Sequence, residues 1–324
     1  MFHRSLRTVA LPFLAALALA ACSGADESAQ SGGSTPEAAV KTSAALLKSG
    51  DFNHFWKHGL PPADYATLRT DWTRRQQAEP PITADDRARF ASALQQLTGP
   101  DAENTLYAML GPKLTALELQ YKDQLPMLIS VGNALAKNAV ARSSTLGATQ
   151  KTQIAAAVDV LAPWAQQAPW FDQAKAKQGV DIVVTSARKL ALTSPDQVRS
   201  MDFDTTMGKY SIGFAGLKQL LANYGLSLDD TLDSVKASQL ESSSGHARVK
   251  IDYTLLGKPL STEMKLVQLD GRWYSEEMLN NVRQSHQQLV EPATLPTAAP
   301  APAASAPSSA IGLPAAAAST PVKD

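Results

Sequence analysis

Residues 247-ARVKIDYTL-255 alternate without a break: Ala247, Val249, Ile251, Tyr253 and Leu255 are apolar, and Arg248, Lys250, Asp252 and Thr254 between them are polar. A period of two sends successive side chains to opposite faces, so this stretch is a β-strand with one buried and one wet face. Its neighbours extend the pattern. Gly257-Lys258-Pro259 reads as a turn, Thr262, Met264 and Leu266 continue a second strand against Glu263 and Lys265, and Asp270-Gly271 is a hairpin signal ahead of Trp273. An earlier strand is expected over Ser234 to Leu240, giving an antiparallel meander of about four strands packed on helices.

Upstream, the period changes to that of helices, so the fold class is α+β, a mainly helical array followed by the C-terminal meander. Thr35 as cap, Pro36 at the first helical position and Ala39, Val40, Ala44 and Leu47 at helical spacing predict a helix that Gly50 stops. A short helix holding Phe52, Phe55 and Trp56 should end at Gly59 and Pro61-Pro62, and Tyr65, Leu68 and Trp72 mark a third. Further helices are predicted over 85–97, 102–110, 113–142 with a boundary or kink at Pro126, 150–162, 168–184 with Pro169 near the start, and 203–224. Ser227 with Asp229 and Asp230 reads as a capped turn, which accounts for that acidic pair. The expected organisation is a helical region over 36–195 and an α+β module over 196–291.

The two ends differ from the body. Residues 292–324 are almost entirely Pro, Ala, Ser and Thr and lack large apolar side chains, a composition expected to stay disordered. Residues 22–35, small, polar and glycine-containing, read as a flexible linker with about 20 Å of play. Ahead of them Arg4 and Arg7 precede an uncharged apolar run from Thr8 to Ala21, the order of a secretory signal over 1–21. That run closes on Leu19-Ala20-Ala21-Cys22, and Cys22 is the single cysteine of the chain. This stretch resembles the lipobox of bacterial lipoproteins, which implies cleavage before Cys22 and lipidation of its thiol. Several acyl chains, each methylene contributing about 0.8 kcal/mol on burial, would anchor the protein durably. Ser rather than Asp at position 23 implies, by the same resemblance, the outer membrane with the body facing the periplasm.

A second resemblance is carried by the opening PEAAV of the first helix and by VQLDGRWYSEE at the end of the sheet. Together they look like the lipoprotein relatives of the NTF2-like (cystatin-like) fold, in which a bent sheet wraps a helix. That resemblance implies a concavity in which Tyr253 and Trp273 could line a ligand pocket for a small apolar molecule, beside the alternative of plain sheet-to-helix core, which is the favoured reading of the two. It assigns no chemistry, because members of one fold serve many functions.

No catalytic residue emerges. His54 and His58 stand at helical spacing but lack HExxH and a neighbouring carboxylate, so they read as a surface pair and no metal is called. Trp164 and Trp170 read as the filling of a helix junction, with an aromatic ligand platform as the alternative. No GxSxG elbow is present, and an acylated Cys22 is no nucleophile. Asp229, Asp230 and Asp233 lack the glycine and terminal glutamate of a calcium loop. Zero formal net charge and no Lys/Arg run exclude a nucleic-acid partner. No cofactor is called. The expected role is a lipid-anchored periplasmic component that binds or assembles, touching the membrane through its anchor, while the Pro-rich tail, as a partly extended spacer, could meet peptidoglycan or an envelope protein. The rivals are a hydrolase whose site assembles from distant segments and a carrier of a small apolar ligand.

Overall fold

The computed structural model describes residues 30–144 and 146–291. The segment read as a signal peptide, Cys22 and the Pro/Ala-rich tail therefore lie outside the described residues. The architecture is α+β, helices first and a four-stranded antiparallel sheet near the C-terminus, in the order β1-β2-β3-β4.

The first helix, α1 (Pro36–Ser49), is capped by Thr35 and ends at Gly50, whose φ of 72° is the left-handed conformation a closing glycine takes freely. Then come α2 (Phe52–Gly59), α3 (Pro62–Ala78) and α4 (Ala84–Thr98), all near their predicted bounds.

The next helices depart from expectation. The predicted break at Gly111-Pro112 does not occur: α5 runs from Ala102 to Tyr121 straight through Pro112. A proline here removes one helical hydrogen bond, and the side chain of Gln173 bridges the defect from outside. The Tyr107 hydroxyl donates to its Oε1 at 3.0 Å from the turn before, and its Nε2 donates to Thr115 Oγ1 at 3.1 Å in the turn after. The boundary falls at 122–124, just ahead of α6 (Leu125–Arg142), whose first turn holds Pro126 where a boundary or kink is predicted. Helix α7 (Ala148–Gln167) likewise continues through Pro163. Pro169 sits in a turn and not at a helix start, because Asp172 accepts from Lys175 N and caps α8 (Gln173–Leu190). Short α9 (Pro195–Ser200), long α10 (Phe203–Asn223) and the capped turn α11 (Leu228–Asp233) complete the array.

The strands are β1 (Lys236–Ser243), β2 (His246–Leu255), β3 (Lys258–Leu269) and β4 (Arg272–Ser275). Each hairpin turns on two residues of positive φ, Ser244-Gly245, Leu256-Gly257 and Asp270-Gly271, the backbone that follows strand twist most closely. The second turn therefore lies one residue earlier than predicted, and Lys258 and Pro259 pair with Leu255 and Thr254. The alternating stretch behaves as its period demands. Ala247, Val249, Ile251, Leu266 and Trp273 form a buried core with Ala39 and Val40 of α1, whereas Arg248 on the opposite face pairs with Glu241 and Glu263.

One element has no counterpart among the predictions. After β4 the chain turns into α12 (Glu276–Val290), with Ser275 as its cap and two glutamates in its first turn. Its buried Leu279 and Val282 close on Leu60, Val267 and Leu269, so the wet face is covered at this corner.

The linker also needs correcting, because its last residues belong to the fold. Gly33 and Trp273 exchange backbone hydrogen bonds at 3.0 and 2.9 Å, a bridge that lines the β4 edge. Gly32 N donates to His58 O at 2.8 Å, and Ser31 Oγ meets Tyr274 Oη at 2.9 Å. Gly33 is there for closeness, and Gly32, at a φ of 71°, for closeness and left-handed backbone together. A Cβ on Gly33 would lie 2.2 Å from Ala39 N, and one on Gly32 would lie 2.7 Å from the Tyr274 ring.

Gly33→Ala should thus destabilise the protein by about 1–3 kcal/mol, as overpacking does. Gly132→Ala, in mid-helix with nothing within 4 Å, should stabilise it by about 0.5–1 kcal/mol through helix propensity. Urea denaturation of both variants measures the opposite signs.

Candidate functional site

Two surfaces stand out, a cleft and an apolar arm. The cleft, about 390 Å³, opens between α2, α3 and α12. Trp56, Leu68, Met278 and Val282 supply its apolar wall, and Asp71, Arg75, Glu277 and Asn281 are among its polar lining. Its volume lies in the range of small-molecule sites. Asp71 is the notable member, since its residue is only 3 % exposed. A buried carboxylate has to be compensated, and here Arg74 donates to Oδ1 at 3.0 Å and His286 Nδ1 lies 2.8 Å from Oδ2.

A carboxylate that orients an imidazole is two-thirds of a nucleophilic triad. The third part is a hydroxyl or thiol on the other ring nitrogen. Among the described residues the one hydrogen bond of His286 is to Asp71, and Ser275, which also lines the cleft, is committed as the cap of α12. As it stands, the arrangement neutralises a buried charge and joins α3 to α12.

The residues singled out from the sequence are scattered. Trp273 is 7 % exposed inside the sheet core. Tyr253, on the same face of β2, is half-buried, and burial raises its phenol above the ordinary value. Neither lines any of the cavities described, so the core alternative describes Trp273. His54 and His58 do not form a surface pair. His54 bonds Asp51 at 2.7 Å in the cap of α2, and His58 is buried with Nδ1 3.1 Å from Gln30 O. Among the described residues no group of three or more His, Cys, Asp or Glu could hold a metal. Trp164 and Trp170 do fill a junction. Their rings meet edge-on at 5.4 Å, Trp170 stacks on Tyr224, and Trp164 Nε1 donates to Tyr224 O at 2.8 Å.

The arm consists of the end of α5, all of α6 and the outer side of α7. No residue of α6 is buried. Met127, Leu128, Val131 and Leu135 are exposed by 61, 43, 51 and 64 %, and Leu119 at the end of α5 by 85 %. Its other side follows α7, where Lys137 pairs with Asp159 at 2.8 Å and Gln166 reaches Ser130. A monomer rarely leaves so much apolar surface contiguous without a use for it. The sequence could have shown the cleft only to a reader who had placed α12, through Ser275, Glu276, Glu277 and the apolar series Leu279, Val282, Leu289.

No family model matches the chain, and no curated protein and no solved structure proves similar to it.

Asp71→Ala and His286→Ala should each cost about 1–3 kcal/mol, the range for hydrogen bonds to a charged group. In the double variant the losses should fall short of additive by at least about 0.5 kcal/mol. Denaturant titration of the four chains closes this cycle; full additivity would show that the pair is not coupled.

Proposed function

We propose that this chain is a lipid-anchored component of the bacterial envelope, held by Cys22 at the outer membrane with its body in the periplasm, where it binds or assembles and does not catalyse. The observation that carries this is the uncovered apolar surface of α6, a helix with no buried residue on which Met127, Leu128, Val131 and Leu135 stand exposed on one face. Two further features support it. The lipobox stands only eight residues before Gln30, where the fold takes hold of the chain. The packing of α1 on the sheet through Ala39 and Val40 is what an NTF2-like module needs, and the resemblance of PEAAV and VQLDGRWYSEE is kept as part of the proposal. Among the described residues no helix is long and apolar enough to cross a membrane.

A hydrolase is the second reading, and the Asp71–His286 pair in the cleft is what favours it. Among the described residues no hydroxyl is hydrogen-bonded to the imidazole, which hydrolysis by a triad requires. Carriage of an apolar ligand by Tyr253 and Trp273 loses ground, because Trp273 is packed into the core.

Intact mass of the native protein should give a chain that begins at Cys22 and carries a glyceride with its acyl chains. A start at Met1 or an unmodified thiol would refute the anchor. In cells deleted for the gene, any envelope defect should be rescued by His286→Gln and not by Leu135→Asp. The reverse result would favour the hydrolase.

A further inference from the structure

We infer that the exposed face of α6 lies on a phospholipid surface, the same bilayer that the acyl chains of Cys22 enter. This rests on the anchor proposed above and adds to it a second, non-covalent contact made by the folded body.

The face is built for an interface between lipid and water. Leu128, Val131 and Leu135 follow one another at helical spacing, Met127 flanks them, and the stretch from Gln124 to Ala136 carries no charged residue. Nothing in it would have to be stripped of water as an ion. Charges resume at its borders with a positive excess. Lys122 and Lys137 are held by Glu118 and Asp159, and beyond those pairs Lys113, Arg142 and Lys151 stand against Asp123 over residues 113–167, on a chain of zero net charge. Apolar side chains on one face with cations beside them are the composition of helices that lie in the headgroup layer of anionic membranes.

Reach supplies the second line. Eight residues from Cys22 to Gln30 span at most about 29 Å when fully extended. The chain is gripped from there on by His58, Leu60, Tyr274 and Arg272, so the body cannot drift far from the bilayer. The arm is joined to that same corner. Gln150 at the start of α7 donates to Glu277 at 2.7 Å, Lys151 donates to Ala141 O at the end of α6, and Tyr274, three residues before Glu277, holds Ser31. An 18-residue helix is about 27 Å long, comparable with the tether. A body held this close and at this corner can lay α6 down on the surface that anchors it.

Cys22 is the only native cysteine and is acylated under the proposed function, so a cysteine placed by Leu135→Cys takes a thiol-reactive environment-sensitive fluorophore alone. The full lipidated chain is to be reconstituted into vesicles of phosphatidylethanolamine and phosphatidylglycerol. The probe at 135 should brighten several-fold, shift to the blue and be quenched by nitroxide carried on the lipid. A probe at Tyr210→Cys, exposed on α10, should stay water-like, and a second arm site, Val131→Cys, should reproduce the result at 135. A chain that floats with the vesicles while both arm probes remain water-like overturns the contact and leaves the anchor intact. A chain that does not float refutes the anchor, and the contact with it. A shift that vanishes when the protein is diluted to one copy per vesicle identifies a second copy as the occupant and overturns the membrane contact.

Discussion

The close approach of Gly33 to α1 and to β4 is the contact on which the C-terminal half of the molecule depends. Two backbone hydrogen bonds to Trp273 line the outer edge of the sheet, where an exposed strand would otherwise present unpaired groups to other chains. They also hold Trp273 in the core it shares with Ala39, Val40, Val249 and Leu266. Since Ala39 N lies 2.2 Å from where a Cβ would stand, no other residue type fits without movement of the helix. Ser31 and Gly32 continue the grip through Tyr274, His58 and Arg272. A segment that composition marks as slack is thus the seam between the N-terminal and C-terminal ends of the fold.

That seam gives the proposed anchor mechanical meaning. A tether that is free to its last residue leaves a body in any orientation, whereas one gripped from Gln30 onward restricts which corner faces the membrane. The corner holds the end of α12 nearest the sheet and, through Gln150 and Glu277, the start of α7. The cleft opens on the same helix α12, with Glu277 and Met278 in its lining. Residues 30–33, the cleft and the start of α7 are therefore neighbours in space, although they come from both ends and the middle of the described chain.

The helical middle shows how tertiary contacts overrule local signals. Gly111-Pro112 is a strong breaker by any local rule, yet α5 passes through it because Gln173, 61 positions further on, hydrogen-bonds on both sides of the proline. The Asp71–His286 pair is similar: 215 positions separate its members, and the helix bearing His286 had not been assigned from sequence. His58 is buried for the same reason: the carbonyl facing its ring, that of Gln30, belongs to a stretch whose composition reads as a linker.

Much of the fold was legible along the chain. Strict alternation over 247–255 determined a half-buried strand and its face, Asp270-Gly271 marked the last hairpin, and Thr35-Pro36 and Ser227 announced helix starts that occur where they stand. These are local constraints, in which sterics and hydrogen bonding act within a few residues, and local constraints can be read one stretch at a time. The continuity of α5, the grip on residues 31–33, the burial of His58 and Asp71 and the exposure of α6 were decided only by the tertiary structure. Each depends on which distant atoms arrive within a few ångströms, and residue type by itself does not say whether a glycine is free or crowded, or whether a leucine is covered.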